Sequence, residues 1–232
     1  MALLKKSINT RPNLSDNAPN MFLNCCEFIP NLPKLKTLGE YPNGVPEGLI
    51  VHYTAGNQNQ SPQSAMDNAL RNGHCYFYID AAGIIYQQFD LNRYGSHAGE
   101  SLCPITGRKN VSKFYAGVEI ACAGKLSPNE DAYYTWFGKK IPNDQVREFK
   151  GSDTQRSIGF YQKFTIPQEQ ALFKLSLAFI KLFGISSEFI MGHDEIAVGR
   201  KHDPAGSLSC SMGEFRNEPR KKVISSSDFG LG

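Results

Sequence analysis

The run Leu49-Ile50-Val51-His52-Tyr53-Thr54-Ala55-Gly56 sets the narrowest limit on how this chain folds. An almost unbroken apolar segment bounded by a Gly turn is a buried strand, and such a strand needs protein on both of its faces. The polar residue near its end is an imidazole, delivered to the rim of whatever sheet forms. With 232 residues the chain can build one sizeable core and is short for two. The expected fold class is therefore α/β: a single domain with a central mixed β-sheet flanked by helices.

The neighbouring segments fit that frame. Residues 61 to 72 read as a helix, with Ser61 as N-cap, Pro62 at the first helical position and Gly73 past the end. Cys75 to Asp80 and Ile84 to Asp90 flank Ala81-Ala82-Gly83 and predict a hairpin. Tyr115 to Cys122 alternates and predicts a strand. Thr165 to Phe183 is the strongest helix, opened by a Thr165/Gln168 capping box and closed by Gly184. Its core stripe is expected on Ala171, Leu172, Leu175, Ala178, Phe179 and Leu182. Ile185 to Met191 is expected to follow as a short strand.

Domain boundaries follow from composition. Residues 1–46, with prolines at 12, 19, 30, 33, 42 and 46, are expected to be an arm packed on the domain. Residues 47–216 are the domain, and 126–164 an insertion within it carrying its own hairpin or lid. Residues 217–232 are a charged, Ser-rich tail.

Bulk properties exclude several classes. A net charge of +3 without a basic, aromatic-interleaved block argues against nucleic acid as partner. No apolar stretch reaches membrane-spanning length, so no membrane insertion is expected. The N-terminal Met-Ala-Leu-Leu-Lys-Lys lacks an export signal, so synthesis in the cytoplasm without a signal peptide is expected. The six cysteines include no Cys-x-x-Cys pair and read as free thiols, and the chain is expected to be a monomer.

The chemistry concentrates in Gly192-His193-Asp194-Glu195-Ile196-Ala197-Val198-Gly199-Arg200-Lys201-His202-Asp203-Pro204. His193 and Asp203 are half of a catalytic zinc site, and His52 supplies a third ligand, leaving a fourth position for water. Glu119, inside the apolar pattern Ala116-Gly117-Val118-Glu119-Ile120, is costly to bury without a purpose and is the general-base candidate. Lys201 is the candidate for stabilising an oxyanion. His202 is expected to point away from the metal, Cys210 to stay off it, and His74 to be structural. Asp194 and Glu195 read as solvated loop acids or supports of His193. Tyr133, Tyr134, Trp136 and Phe137 are either lid residues or a small satellite core.

Four motifs in order, Val51 to Gly56, Gly95-Ser96-His97-Ala98-Gly99, Gly117-Val118-Glu119 and Gly192 to Pro204, resemble the N-acetylmuramoyl-L-alanine amidase type 2 family across roughly residues 48 to 216. That family includes muropeptide-recycling amidases, phage endolysins and peptidoglycan recognition proteins. The resemblance implies an open groove holding one Zn²⁺ on His52, His193 and Asp203. It implies hydrolysis of the amide between N-acetylmuramic acid and L-alanine of the stem peptide, with Glu119 and Lys201 catalytic. His97 matches a groove-lining, substrate-binding segment. Tyr76 is a second substrate-binding candidate, because the family's Tyr-His or Ala-His pair falls on Cys75 and Tyr76. The expected partner is peptidoglycan or a muropeptide. Three roles remain open: a lytic, endolysin-like enzyme acting on the cell wall after release, a cytoplasmic recycling enzyme for anhydro-muropeptides, and a binding module without catalysis.

Overall fold

The first five residues of the apolar run are buried and form strand β2 (Leu49–Tyr53). A computed structural model describes residues 22–151 and 158–218 of the chain. Around β2 the elements are β1 (Gly39–Glu40), α1 (Pro62–Arg71), β3 (Phe77–Ile79), β4 (Ile85–Tyr86), β5 (Arg93–Tyr94) and β6 (Ala116–Ile120). There follow β7 (Lys125–Asn129), β8 (Ala132–Tyr134), β9 (Lys140–Ile141), β10 (Val146–Phe149), β11 (Gly159–Gln162), α2 (Ile166–Phe183), β12 (Ile190–Gly192) and α3 (His193–Ile196).

The central sheet runs β12-β2-β6-β3-β4. Its first four strands are parallel and β4 closes the edge antiparallel to β3, so the sheet is mixed, as expected. Parallel strands need cover on both faces, and two apolar clusters provide it. Leu49, Val51 and Tyr53 of β2 join Val118 and Ile120 of β6 in the larger cluster, which also takes Leu172, Leu175 and Phe179 of α2. Ile50 points the other way, into a smaller cluster with Tyr115, Met191 and Ile196. Side chains alternate along a strand, so His52 shares the face of Ile50, and Glu119 shares that of Gly117. In the β2–β6 register His52 lies opposite Glu119 and Ile50 opposite Gly117. This alternation places an imidazole and a carboxyl side by side.

The helices begin where their caps dictate. Ser61 accepts from Ser64 N at α1. At α2 Thr165 accepts from Gln168 N while Gln168 Oε1 accepts from Thr165 N, and Gly184 ends the helix at φ +61°. The stripe differs from expectation at its C-terminal end. Leu182 is 55 % exposed and Ala178 only half-buried, while Gln168 and Ser176 are buried. Gln168 is tolerated because its Nε2 donates to Ala121 O at 2.8 Å, and Ser176 because it donates to Leu172 O at 2.8 Å. The strand expected over Ile185 to Met191 is corrected too: Ser187–Phe189 make a 3₁₀ turn capped by Ser186, and only Ile190–Gly192 pair with β2.

Residues 22–46 run along the β4 edge. Leu23, Leu32 and Leu35 are buried in the larger cluster, and Glu27 bridges Tyr86 in parallel. Strands β7 to β11 form a second, antiparallel sheet in the order β10-β11-β7-β8-β9, with a small core of Ala123, Leu126 and Ile141 flanked by Tyr133, Val146 and Phe160. Parts of the expected arm (1–21), insertion (152–157) and tail (219–232) lie outside the described residues. Among the described residues no helix is long and apolar enough to cross a membrane, and all six cysteines are free thiols.

Candidate active site

Three polar groups meet at the C-terminal ends of β2 and β12. His52 comes from β2, His193 opens α3 directly after β12, and Asp203 comes from the loop before Pro204. All three are buried and their ligand atoms lie within 4.8 Å of one another. His52 Nδ1 is 2.8 Å from His193 Nδ1, and Asp203 Oδ2 lies 3.1 Å from the first and 2.9 Å from the second.

The hydrogen bonds behind these atoms decide what the three groups can do. His97 Nε2 faces the Tyr115 carbonyl at 2.9 Å, and a carbonyl can only accept, so the His97 proton sits on Nε2. His97 Nδ1 is then an acceptor, and His52 Nε2–H donates to it across 3.1 Å. That leaves His52 Nδ1 as a bare lone pair. In the same way His193 Nε2–H donates to the Ala98 carbonyl at 3.0 Å, and its Nδ1 is bare. Two imidazole lone pairs and a carboxylate oxygen therefore converge with no proton assigned between them, an arrangement that only a cation satisfies. Burial holds the His52 pKa down to about 4, against the pull of Asp203, so the ring is neutral and able to ligate. The donor set fits a metal ion.

The Gly95–Gly99 segment is thus a brace for both histidines: His97 backs His52 and the Ala98 carbonyl backs His193. The backbone N–H groups of His97 and Ala98 donate to Ser112 Oγ at 3.2 and 2.9 Å, and Arg200 Nη2 adds a second donor to Ala98 O at 2.8 Å. Both nitrogens of His97 are committed, so its ring has no free polar atom for a substrate. The close packing needs Gly117, since a Cβ there would sit 2.6 Å from His97 Cγ.

A cleft of about 530 Å³ opens above the triad, lined by Tyr76, Glu119, Trp136, Arg200, Lys201 and His202 among others. Glu119 Oε2 is buried without a partner. Burial raises its pKa well above the ordinary value, Asp203 raises it further, and Lys201 opposes both. Such a carboxyl is poised to exchange a proton. Tyr76 is 5 % exposed, and burial raises its phenol pKa, so it can offer a hydroxyl but not a phenolate.

Of the other polar residues, His202 packs against the rings of Tyr53 and Tyr161 at 6.1 and 6.4 Å and does not join the group of three ligand atoms. Glu195 is not a free loop acid: its Oε2 accepts from Gly192 N at 2.8 Å, and both oxygens pair with Arg216 at 2.7 and 2.9 Å, anchoring the turn that carries His193. Asp194 and Cys210 line a different pocket, beside Met212 and Arg216. Tyr133 joins the satellite core, whereas Trp136 stands 74 % exposed at the rim. The Ala98 and Tyr115 carbonyls, which orient the histidines, carry no side-chain signal in the sequence, and Ser112 and Arg200 showed none in isolation.

None of the curated proteins matches this sequence. Among solved structures, the chain is similar to AmpD, as its selenomethionine derivative, with TM-score 0.51 and 19 % identity over 84 % of this chain and 95 % of that one. It is similar to AmpDh3 from Pseudomonas aeruginosa at TM-score 0.51 and 19 % identity, covering 82 % of this chain and 64 % of that one. It is also similar to the endolysin LysCS from Clostridium intestinale at TM-score 0.48 and 17 % identity, covering 83 % and 97 %. The family model for N-acetylmuramoyl-L-alanine amidase matches residues 42–206, a span that takes in His52, His97, Glu119, His193, Lys201 and Asp203. With that match over most of its length, and a buried His-His-Asp group where the family's motifs fall, the chain belongs to the N-acetylmuramoyl-L-alanine amidase family.

Proposed function

We propose that this protein is a zinc-dependent amidase that hydrolyses the bond between the lactyl group of N-acetylmuramic acid and L-alanine, and that it is a lytic enzyme of the cell wall. The observation that carries the reading is the convergence of three proton-free donors at 2.8–3.1 Å, beside a buried, unpartnered carboxyl. Two imidazole nitrogens and one carboxylate oxygen suit zinc, and their spacing approaches the edge of about 3.3 Å expected around a tetrahedral ion with bonds near 2.0 Å. Zinc bound there would polarise the scissile carbonyl and bring a water towards neutral pKa.

The chain's own residues supply the rest. Glu119 takes the proton of the attacking water and returns it to the amine of the leaving alanine. Lys201 places a positive charge beside the carbonyl oxygen as it becomes an oxyanion. His97 keeps His52 in the ligating tautomer, and Tyr76 offers its hydroxyl to the substrate. The solved AmpDh3 is described in complex with anhydromuramic pentapeptide, a compound of the same chemical type. Trp136, carried by the β8–β9 turn of the second sheet, extends one wall of the cleft, which supports a polymer as substrate.

The test is amine release from purified sacculi and from soluble anhydro-muropeptide, with metal content measured in parallel. One zinc per chain is expected, lost in H52A. E119Q and K201A keep the metal and lose about 10²–10³-fold or more in turnover. Wild-type release by H52A or E119Q would sink the mechanism. Activity confined to soluble muropeptide would favour recycling over lysis.

A further inference from the structure

The turn between β8 and β9 carries an aromatic residue that neither core nor triad uses. Trp136 is 74 % exposed and lies outside the satellite core formed by Ala123, Leu126, Ile141 and their neighbours. An indole left in water contributes nothing to folding, yet this one is held firmly. Its Nε1–H donates to Ala55 O at 2.6 Å, three residues past His52. Phe137 packs against it edge-on, with centroids 5.4 Å apart at 88°. Lys139 Nζ ties the same turn to Asn57 Oδ1 at 3.3 Å. The ring is thus anchored at its polar edge and presents its apolar surface at the mouth of the cleft.

The cleft lining mixes neutral polar groups with cations. Thr54 and Gln60, close in sequence to the Ala55 that anchors the indole, are uncharged. Arg200, which grips the Ala98 and Glu100 carbonyls, and Lys201 supply positive charge. Carboxylates of a stem peptide match the cations. A pyranose has a C–H face that stacks on an indole, and hydroxyl and N-acetyl groups at its edge that suit amide side chains. We infer that Trp136 is a saccharide-stacking residue, which seats an N-acetylated amino-sugar ring of the glycan beside the metal-binding triad. The inference rests on the amidase reading for its substrate. A pinned ring loses little freedom on binding, so most of the contact energy is retained.

Trp136 is the single tryptophan of the chain, so intrinsic fluorescence reports on it directly. The wild-type protein is titrated with an N-acetylglucosamine trisaccharide and, separately, with L-Ala-D-γ-Glu-L-Lys. A saturable change in emission with the saccharide and none with the peptide is expected. In kinetics, the KM advantage of a sugar-bearing muropeptide over the lactyl-peptide lacking its sugar shrinks about ten-fold in W136A and recovers mostly in W136F. Silent emission with the saccharide, or equal loss on both substrates in W136A, overturns the assignment. A saccharide response in a protein that releases no amine would instead retain the stacking site and overturn the amidase reading.

Discussion

His97 gives the sharpest test of how this site is organised. The structure assigns it no ligand atom and no free polar group, only the task of holding the His52 proton on Nε2. His97→Phe preserves most of the ring volume and deletes two hydrogen bonds. The Tyr115 carbonyl and the His52 Nε2–H are left facing carbon, at a cost of about 1–3 kcal/mol each if water does not reach them. His52 can escape its share by moving the proton to Nδ1, where Asp203 Oδ2 waits at 3.1 Å. That tautomer opposes the metal, because the proton must first return to Nε2, where it now faces carbon. Loss of such a supporting bond lowers metal affinity about 10–100-fold, or about 1.4–2.8 kcal/mol. Competition with a chromophoric chelator measures the affinity, and the nitrogen NMR shifts of the His52 ring in the chelated protein read its tautomer. H97F should bind more weakly and carry the His52 proton on Nδ1 rather than Nε2. Gly117→Ala reaches the same end from below, since its Cβ would strike His97 Cγ at 2.6 Å, and about a ten-fold loss is expected. Wild-type affinity and an unchanged His52 tautomer in H97F would refute the argument.

Two further outcomes follow from the same geometry and from the fold. In the chelated protein the buried His52 titrates at about 4 against 6.5 when exposed, so the unfolded chain binds the extra proton between those values. Stability is therefore full above pH 6.5 and falls, by on the order of 3 kcal/mol from this group, as pH drops towards 4. Denaturant unfolding across that range checks it, and a flat profile contradicts neutral burial of the ring. Thr165→Ala removes the α2 cap together with the Oγ1 donation to Ala81 O at 2.9 Å. A loss of about 1–2 kcal/mol with unchanged metal affinity is expected in thermal melts, because the cap lies on the far side of the sheet's chemistry.

Much of this site was legible residue by residue. His52, Glu119 and His193 stand in or beside short apolar strands, where a polar side chain is conspicuous against its background, and Asp203 stands at a distinctive Asp-Pro. Capping residues announced α1 and α2 because they act within four positions of their target. The misreadings have a common cause. Leu182 has the right spacing for the core stripe but extends past the sheet it would cover, and apolar content over Ile185 to Met191 could not separate a 3₁₀ turn from a strand. His97 does line the cleft, as its groove motif implied, but no local pattern showed that both of its ring nitrogens are taken by His52 and Tyr115. Glu195 stayed open between a solvated acid and a support of His193 because its partner, Arg216, lies 21 residues away.

By itself the sequence determined the buried core strands, the helix ends and the set of ligating residue types, since these follow from local periodicity and side-chain chemistry. Only the tertiary structure decided which nitrogen of each histidine faces the metal position and which backbone carbonyls hold it there. It also decided that Trp136 reaches across to Ala55. Those outcomes depend on contacts between segments 18 to 141 residues apart, whose directions no local pattern encodes.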